Sequence, residues 1–183
     1  MKILIASDLH GDAAGCRALL SAREREGAEE VVLLGDLLYH GPRNDLPSAY
    51  APKEVISLLS SLSPAPLCVR GNCDAEVDQM VLPFPILADY AQFVWDGVRI
   101  FATHGHHASP AALPPSLRDG DVFLSGHTHL YTLRREDVSG VYIMNPGSPS
   151  RPKGGNVPSY LLYENRTFTL KDLSGNVLSS LSV

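Results

Sequence analysis

The sequence predicts an α/β fold, a two-sheet α/β sandwich. Three observations carry that reading. The first half alternates short apolar runs with helical patterns three times, which means parallel strands joined by crossover helices. The second half contains Asp96-Gly97 between two apolar runs, a strong hairpin signal. The last stretch reads as meander strands. The chain has 183 residues, so one domain spanning 1–183 with a single sizeable core is expected.

In the first half, Lys2 to Ala6 is a short apolar strand. Asp12 caps a helix that runs to about Glu26, with Gly27 as its stop. Glu29 to Leu34 is the second strand. A Gly/Pro-rich loop follows from Gly41 to Pro47. Pro52 opens a helix through about Leu62, with Val55, Ile56, Leu58 and Leu59 apolar. The third strand is Leu67–Val69.

The second half is expected to be mixed or antiparallel. Phe93–Trp95 and Val98–Phe101 form the hairpin. Val122–Leu124 and Val141–Met144 are further strands. From Tyr160 the meander turns at Glu164-Asn165 and at Ser174-Gly175-Asn176. The charged stretch from Arg23 to Glu30 reads as a solvated helix face. No repeat, low-complexity tract or linker is visible.

Apolar residues make up 44% and charged residues 19%, a globular balance. The formal charge of −5 argues against a general nucleic-acid binder, which needs a basic face. It leaves room for a small anionic substrate, because bound metal can dominate the local field. Three sparse cysteines, Cys16, Cys68 and Cys73, are no disulfide framework. The N-terminus turns acidic at Asp8, too soon for a signal peptide. No apolar run approaches the roughly 18 residues of a spanning helix. A cytoplasmic protein without membrane attachment is the expectation.

One pattern recurs along the chain. An apolar strand ends in side chains that can bind metal: Asp8-Leu9-His10, Gly35-Asp36, Gly71-Asn72, His104-Gly105-His106 and Gly126-His127-Thr128-His129. Singly these are weak signals. Asp8 alone could be a turn residue, and His104 alone a hydrogen-bonded structural histidine. If the strands share one sheet, their ends converge at its carboxyl edge, where α/β proteins place their sites.

In this order the motifs resemble the calcineurin-like metallophosphoesterases: D-x-H, G-D, G-N-[H/C]-[D/E], H and G-H-x-H. Gly41-Pro42-Arg43-Asn44, the run from Gly71 to Met80, and Asn145-Pro146-Gly147-Ser148 are most similar to the bacterial YfcE-type phosphodiesterases. The resemblance spans the whole chain. It implies a four-layer fold with helices flanking mixed sheets. It also implies two divalent metal ions. One would be held by Asp8, His10, Asp36 and His129. The second would be held by Asp36, Asn72, His104 and His127, with Asp36 bridging.

A set of carboxylate, imidazole and amide oxygen suits Mn²⁺, Fe²⁺ or Zn²⁺. Mn²⁺ is the first choice because the set is oxygen-rich, and Ni²⁺ is also compatible. Two ions roughly 3.5–4 Å apart can share a hydroxide that attacks phosphorus in line. The implied activity is a phosphodiesterase acting on a small phosphate ester. A phosphomonoesterase keeps the same chemistry. A non-catalytic scaffold is the rival from another class, since one eukaryotic relative uses this fold as an interaction module. Short relatives commonly pair, so a homodimer or higher homo-oligomer is implied.

Other residues have open roles. His106 is assigned to the catalytic groups, with a supporting or surface role as the alternative. Asp74 is placed there too, as a residue that orients a ligand. Arg43 and Asn44 lie in a loop long enough to reach substrate, and arginine suits phosphate. Arg151-Pro152-Lys153-Gly154-Gly155 could offer charge to a second phosphate substituent, but a plain turn is favoured. Cys73 is assigned to both catalysis and substrate binding. It occupies a position that is usually histidine in the family. Three roles are open to it: a thiol that protonates the leaving oxygen, a thiolate formed beside the metals, or a small side chain filling the space of an imidazole.

Overall fold

The computed structural model describes residues 1–183. β1 (Lys2–Ala6), β2 (Glu30–Leu33) and β3 (Leu67–Cys68) pair in parallel. They are joined by α1 (Ala13–Glu26) and α2 (Pro52–Ser60). The Asp12 carboxylate accepts from the N–H groups of Ala14 and Gly15, and Gly27 closes α1 in the left-handed region, as the sequence predicts. Pro52 sits in the first turn of α2, where its missing N–H costs nothing.

After β3 comes a single turn, α3 (Glu76–Gln79), which has no buried residue and no sequence signal. β4 (Tyr90–Trp95) and β5 (Val98–Thr103) form the expected hairpin. β6 (Val122–Leu124), β7 (Thr132–Arg135) and β8 (Tyr142–Asn145) complete a five-stranded sheet in the order β4-β5-β6-β8-β7. β7 escapes sequence reading because Thr-Leu-Arg-Arg is a half-exposed edge strand, with no apolar run to betray it.

The meander is β9 (Ser159–Glu164), β10 (Thr167–Asp172) and β11 (Val177–Ser182). It does not join the second sheet. β9 pairs antiparallel with β1, giving a six-stranded sheet in the order β11-β10-β9-β1-β2-β3. The reason lies in β9 itself. Residues Ser159 to Tyr163 are all buried, so the strand needs cover on both faces. The place beside β1 supplies it.

Alternation along β1 divides its side chains. Leu4 and Ala6 pack with Leu19, Val55 and Leu59 of the helices. Ile3 and Ile5 pack with Ile100, Val122, Leu124 and Tyr163 between the sheets. The outer face of the five-stranded sheet, Phe123, Val141 and Ile143, is covered by Ala108, Leu113 and Leu117 of an irregular segment. The fold is therefore two mixed sheets with flanking helices on the six-stranded side and chain without helix on the other. The stretch from Arg23 to Glu30 is not one solvated helix face: α1 ends at Glu26, Glu30 opens β2, and Ala28 is buried in the core between them. Glu26 is half-buried: it bonds Lys171 at 2.7 Å and accepts from the Tyr160 hydroxyl at 2.9 Å, tying α1 to the meander.

Candidate metal centre

The strand-end motifs do converge, but from two sheets rather than one. β1, β2 and β3 of the six-stranded sheet lead into Asp8, His10, Asp36 and Asn72. β5 and β6 of the other sheet lead into His104, His127 and His129. Face-to-face packing sets their carboxyl ends side by side, so the site spans the sandwich.

The backbone at these ends is unusual. Asp8 (φ 60°), His10 (49°), Asp36 (56°), His127 (67°) and His129 (60°) all lie in the left-handed region. For a residue with a Cβ this costs on the order of 1 kcal/mol, and such residues cluster at functional sites. The strain is held by hydrogen bonds between neighbouring loops. Asp8 N–H donates to Gly35 C=O at 3.0 Å, and His10 N–H to Asp36 C=O at 2.9 Å. Glycines permit the close approach. A Cβ on Gly71 would overlap the Asp36 carboxylate, and one on Gly126 would overlap Ser7 and Asp8.

Each side chain is aimed by a fixed partner. Nδ1 of His10 faces Tyr39 C=O at 2.8 Å, that of His104 faces Leu34 C=O at 2.7 Å, and that of His129 faces Arg151 C=O at 2.6 Å. A carbonyl only accepts, so each Nδ1 carries a proton, and each Nε2 faces inward, where it can take a second proton or a metal ion. His127 N–H donates to Asp8 Oδ2 at 2.9 Å, and Cys73 N–H to Asp36 Oδ1 at 2.8 Å. The other carboxylate oxygens point into the centre. The hydroxyls of Ser148 and Ser150 each donate to Asp8 C=O at 2.8 Å.

The inward atoms form two groups. Nε2 of His129 is 3.3 Å and that of His10 is 3.6 Å from Asp8 Oδ1. Nε2 of His104 is 3.4 Å from Asp36 Oδ2 and 3.1 Å from Asn72 Oδ1, and His127 Nδ1 is 3.3 Å from that same Nε2. His10 Nε2 is 3.7 Å from Asp36 Oδ2, which links the groups.

A cation fits these donors. Asp8 Oδ1 is fully buried and has no hydrogen-bond partner. The Nε2 atoms of His10 and His129 face each other at 3.2 Å as two acceptors. His104 Nε2 faces an amide oxygen in the same way. Opposed acceptors repel unless a proton or a metal ion stands between them.

The proton equilibria point the same way. Burial works against charge on Asp8, yet His10 and His129 hold its carboxyl far below the usual range. Asp36 is also low, against burial, through His104. Burial would lower His104, but Asp36 and Asp8 push it up to about 9. A centre that holds protons this strongly has the field and the donor atoms to hold metal.

Above these atoms lies a cavity of about 450 Å³. His10, Asp36, Asn72, Cys73, His127 and His129 line it from the centre, and Gly41 to Asn44, Thr128 and Lys153 complete the wall. Arg43 and Asn44 are both in this wall. The Asn44 amide also donates to His40 C=O at 2.8 Å, which shapes its own loop. Lys153 comes from the segment that could offer charge to a second phosphate substituent, although the sequence favours a plain turn there.

Cys73 sits at the centre itself, its sulfur within 4.8 Å of ligand atoms on His10 and Asp36. A sulfur is therefore in reach of a donor set that otherwise reads as nitrogen and oxygen only. Burial, and then Asp36, push its thiol up to about 12, which disfavours a thiolate in the metal-free protein.

Two expected catalytic groups stand outside the cavity lining. The buried Asp74 carboxylate accepts from the N–H groups of Gly71 (2.7 Å), Asp36 (2.8 Å) and Leu37 (2.9 Å). Those three bonds pin the loop bearing Asp36 to the loop bearing Asn72. The contacts of Asp74 are to backbone N–H groups of these loops. His106 lies tilted against His107, with ring centroids 3.9 Å apart, and meets the His104 ring edge-on at 5.4 Å. Burial and the adjacent histidines lower it to about 4, so its imidazole is neutral.

Residues 1–167 match the calcineurin-like phosphoesterase superfamily domain, and the chain belongs to that family. It is 46% identical over 165 residues to the phosphodiesterase YfcE of Escherichia coli K12, covering 90% of this chain and 88% of that protein. The solved structure of E. coli YfcE, described as a phosphoesterase, superposes with a TM-score of 0.95 over 100% of this chain and 99% of that one, at 41% identity. The phosphodiesterase MJ0936 of Methanocaldococcus jannaschii is 29% identical over 155 residues, 80% of this chain and 83% of that one. Vacuolar protein sorting 29 of Cryptosporidium parvum shares the fold, with a TM-score of 0.65 at 21% identity over 100% of this chain and 98% of that one.

Proposed function

We propose that the chain is a phosphodiesterase that works with two divalent cations. Asp8, His10, Asp36 and His129 hold one; Asp36, Asn72, His104 and His127 hold the other. The observation that carries this reading is the set of opposed buried acceptors, with the orphaned Asp8 Oδ1 at its heart. The similarity to YfcE and MJ0936, both named phosphodiesterases, supports the substrate class. When bound, such a pair of ions activates water as a nucleophile near neutral pH and offsets the charge that develops on the phosphoryl oxygens. Mn²⁺ remains the preferred pair.

The protein's own part is positional. Asp36 lies between the two ligand groups and keeps its carboxylate fixed through Cys73 N–H. Carbonyls of Leu34, Tyr39 and Arg151 hold three imidazoles in one tautomer, so that Nε2 faces the centre. Arg43 and Asn44 orient the ester from the cavity wall. Cys73, protonated, stands where it can give a proton to a leaving oxygen. A scaffold without catalysis, the other reading of this fold, is disfavoured because every ligand position of the family motif is filled.

The deciding experiment compares bis(p-nitrophenyl) phosphate with p-nitrophenyl phosphate, using protein stripped of metal and reloaded with Mn²⁺, Fe²⁺, Zn²⁺ or Ni²⁺. We expect metal-dependent turnover with the larger kcat/KM on the diester, since that ratio compares transition-state binding. A larger value on the monoester would reassign the substrate class. No turnover with any ion would leave the scaffold reading in its place.

A further inference from the structure

The cavity above the centre is larger than a phosphoryl group needs. Its volume of about 450 Å³ leaves room for a substituent, and Pro42 and Cys73 are the only apolar side chains in its lining. Its one carboxylate is Asp36, which belongs to the centre. Its two permanent cations are Arg43 and Lys153, from separate loops.

Neither cation is neutralised. Ion pairs of lysine and arginine elsewhere involve Lys2, Arg17, Arg25, Arg99, Arg135 and Lys171, and neither Arg43 nor Lys153 is among them. In a chain of net charge −5, two unpaired cations at one mouth make a local positive field. Their loops are also fixed. Lys153 N–H donates to His129 C=O at 3.1 Å, which ties the lysine to a residue of the centre. The Arg151 guanidinium donates to Asp45 C=O, clasping the Lys153 loop to the Arg43 loop.

We propose that Lys153 and Arg43 form a second anion subsite, so that the substrate is a phosphodiester whose substituent ends in a further anionic group, a carboxylate or a phosphate. The inference rests on the phosphodiesterase reading and narrows its substrate. Both end groups offer the same chemistry, anionic oxygens to an ammonium and a guanidinium.

The test uses metal-loaded enzyme and three p-nitrophenyl alkyl phosphodiesters that differ only at the chain end: carboxamide, carboxylate or phosphate. We expect the anionic esters to exceed the carboxamide about tenfold in kcat/KM, mainly through KM, with the preference shrinking as salt rises. The better of the two anions identifies the end group. Lys153→Met should reduce the preference, Lys153→Met combined with Arg43→Met should bring it to near unity, and Lys153→Arg should keep most of it. Turnover of the carboxamide ester with no advantage for either anion overturns the subsite and leaves the phosphodiesterase standing. So does a preference that survives Lys153→Met combined with Arg43→Met. No turnover of any of the three diesters removes the phosphodiesterase reading and the subsite together.

Discussion

At the ends of β1, β2 and β3 the six-stranded sheet presents Asp8, His10, Asp36 and Asn72. At the ends of β5 and β6 the five-stranded sheet presents His104, His127 and His129, and no carboxylate. All the negative charge comes from one side of the sandwich and most of the imidazoles from the other. The two sides also anchor each other. His104 is aimed by Leu34 C=O at the end of β2, and Asp8 Oδ2 is held by His127 N–H beyond β6. Neither half is a site alone. The apolar layer between the sheets, which includes Ile5, Leu34, Ala102 and Leu124, sets the gap between them.

The largest expected effect falls on the carboxylate side. Asp36→Asn removes the charge that lies between the two ligand groups. Turnover of a diester should fall by about 10³-fold or more, with loss of one or both metals. The fold should persist, because asparagine can still accept from Cys73 N–H and no core contact changes. Metal analysis, kinetics and thermal melting of one preparation check all three. Two retained metals with near-normal turnover would remove Asp36 from the bridge.

The imidazole side should break more selectively. His104→Ala and His127→Ala each remove a ligand from one group and leave Asp8, His10 and His129 intact. Metal content should fall from about two per chain toward one. If both variants keep two, the division into groups has been drawn in the wrong place.

Between the sides stands Cys73. Burial and Asp36 push its thiol up to about 12 in the metal-free protein, so it keeps a proton there, and the acid role is what substitution tests. Cys73→Ala should slow an alkyl diester by about 10²-fold while changing an aryl diester by less than about threefold, because aryl groups leave with little help. Small and equal changes on both would reduce Cys73 to a spacer.

The mildest test varies pH without metal. His104 is raised from its ordinary value to about 9 by the opposing carboxylates. Its contribution is therefore complete below about pH 6.5 and is lost as pH climbs through 9. Asp8 and Asp36 are lowered, so their contribution persists until pH drops below about 4. Metal-stripped protein should lose several degrees of Tm between pH 6.5 and 9, at about 2–4 °C per kcal/mol for a chain this size. Metal-loaded protein should hold its Tm over that range, because metal replaces the departing protons. Parallel curves would mean that the two sides do not interact through charge.

The sequence by itself determined the strand-end motifs, the parallel first half, the Asp12 and Gly27 caps, the Asp96-Gly97 hairpin and the reach of the Arg43 loop. These are local signals: apolar runs, turn chemistry and residue type at fixed spacing. Only the tertiary structure decided that the motifs belong to two sheets and that the C-terminal meander returns to β1. Strand partners depend on which faces must be covered, and that is a property of the assembled sheets rather than of any segment. It alone selected the partners of Asp74, because three backbone donors from two loops meet its carboxylate only after folding. It likewise brought Lys153 to the cavity, since a turn lysine reads as solvated until the opposite wall is in place. The carbonyls that aim the imidazoles were also beyond sequence reading, because every residue carries one and only the packed backbone selects which three are used.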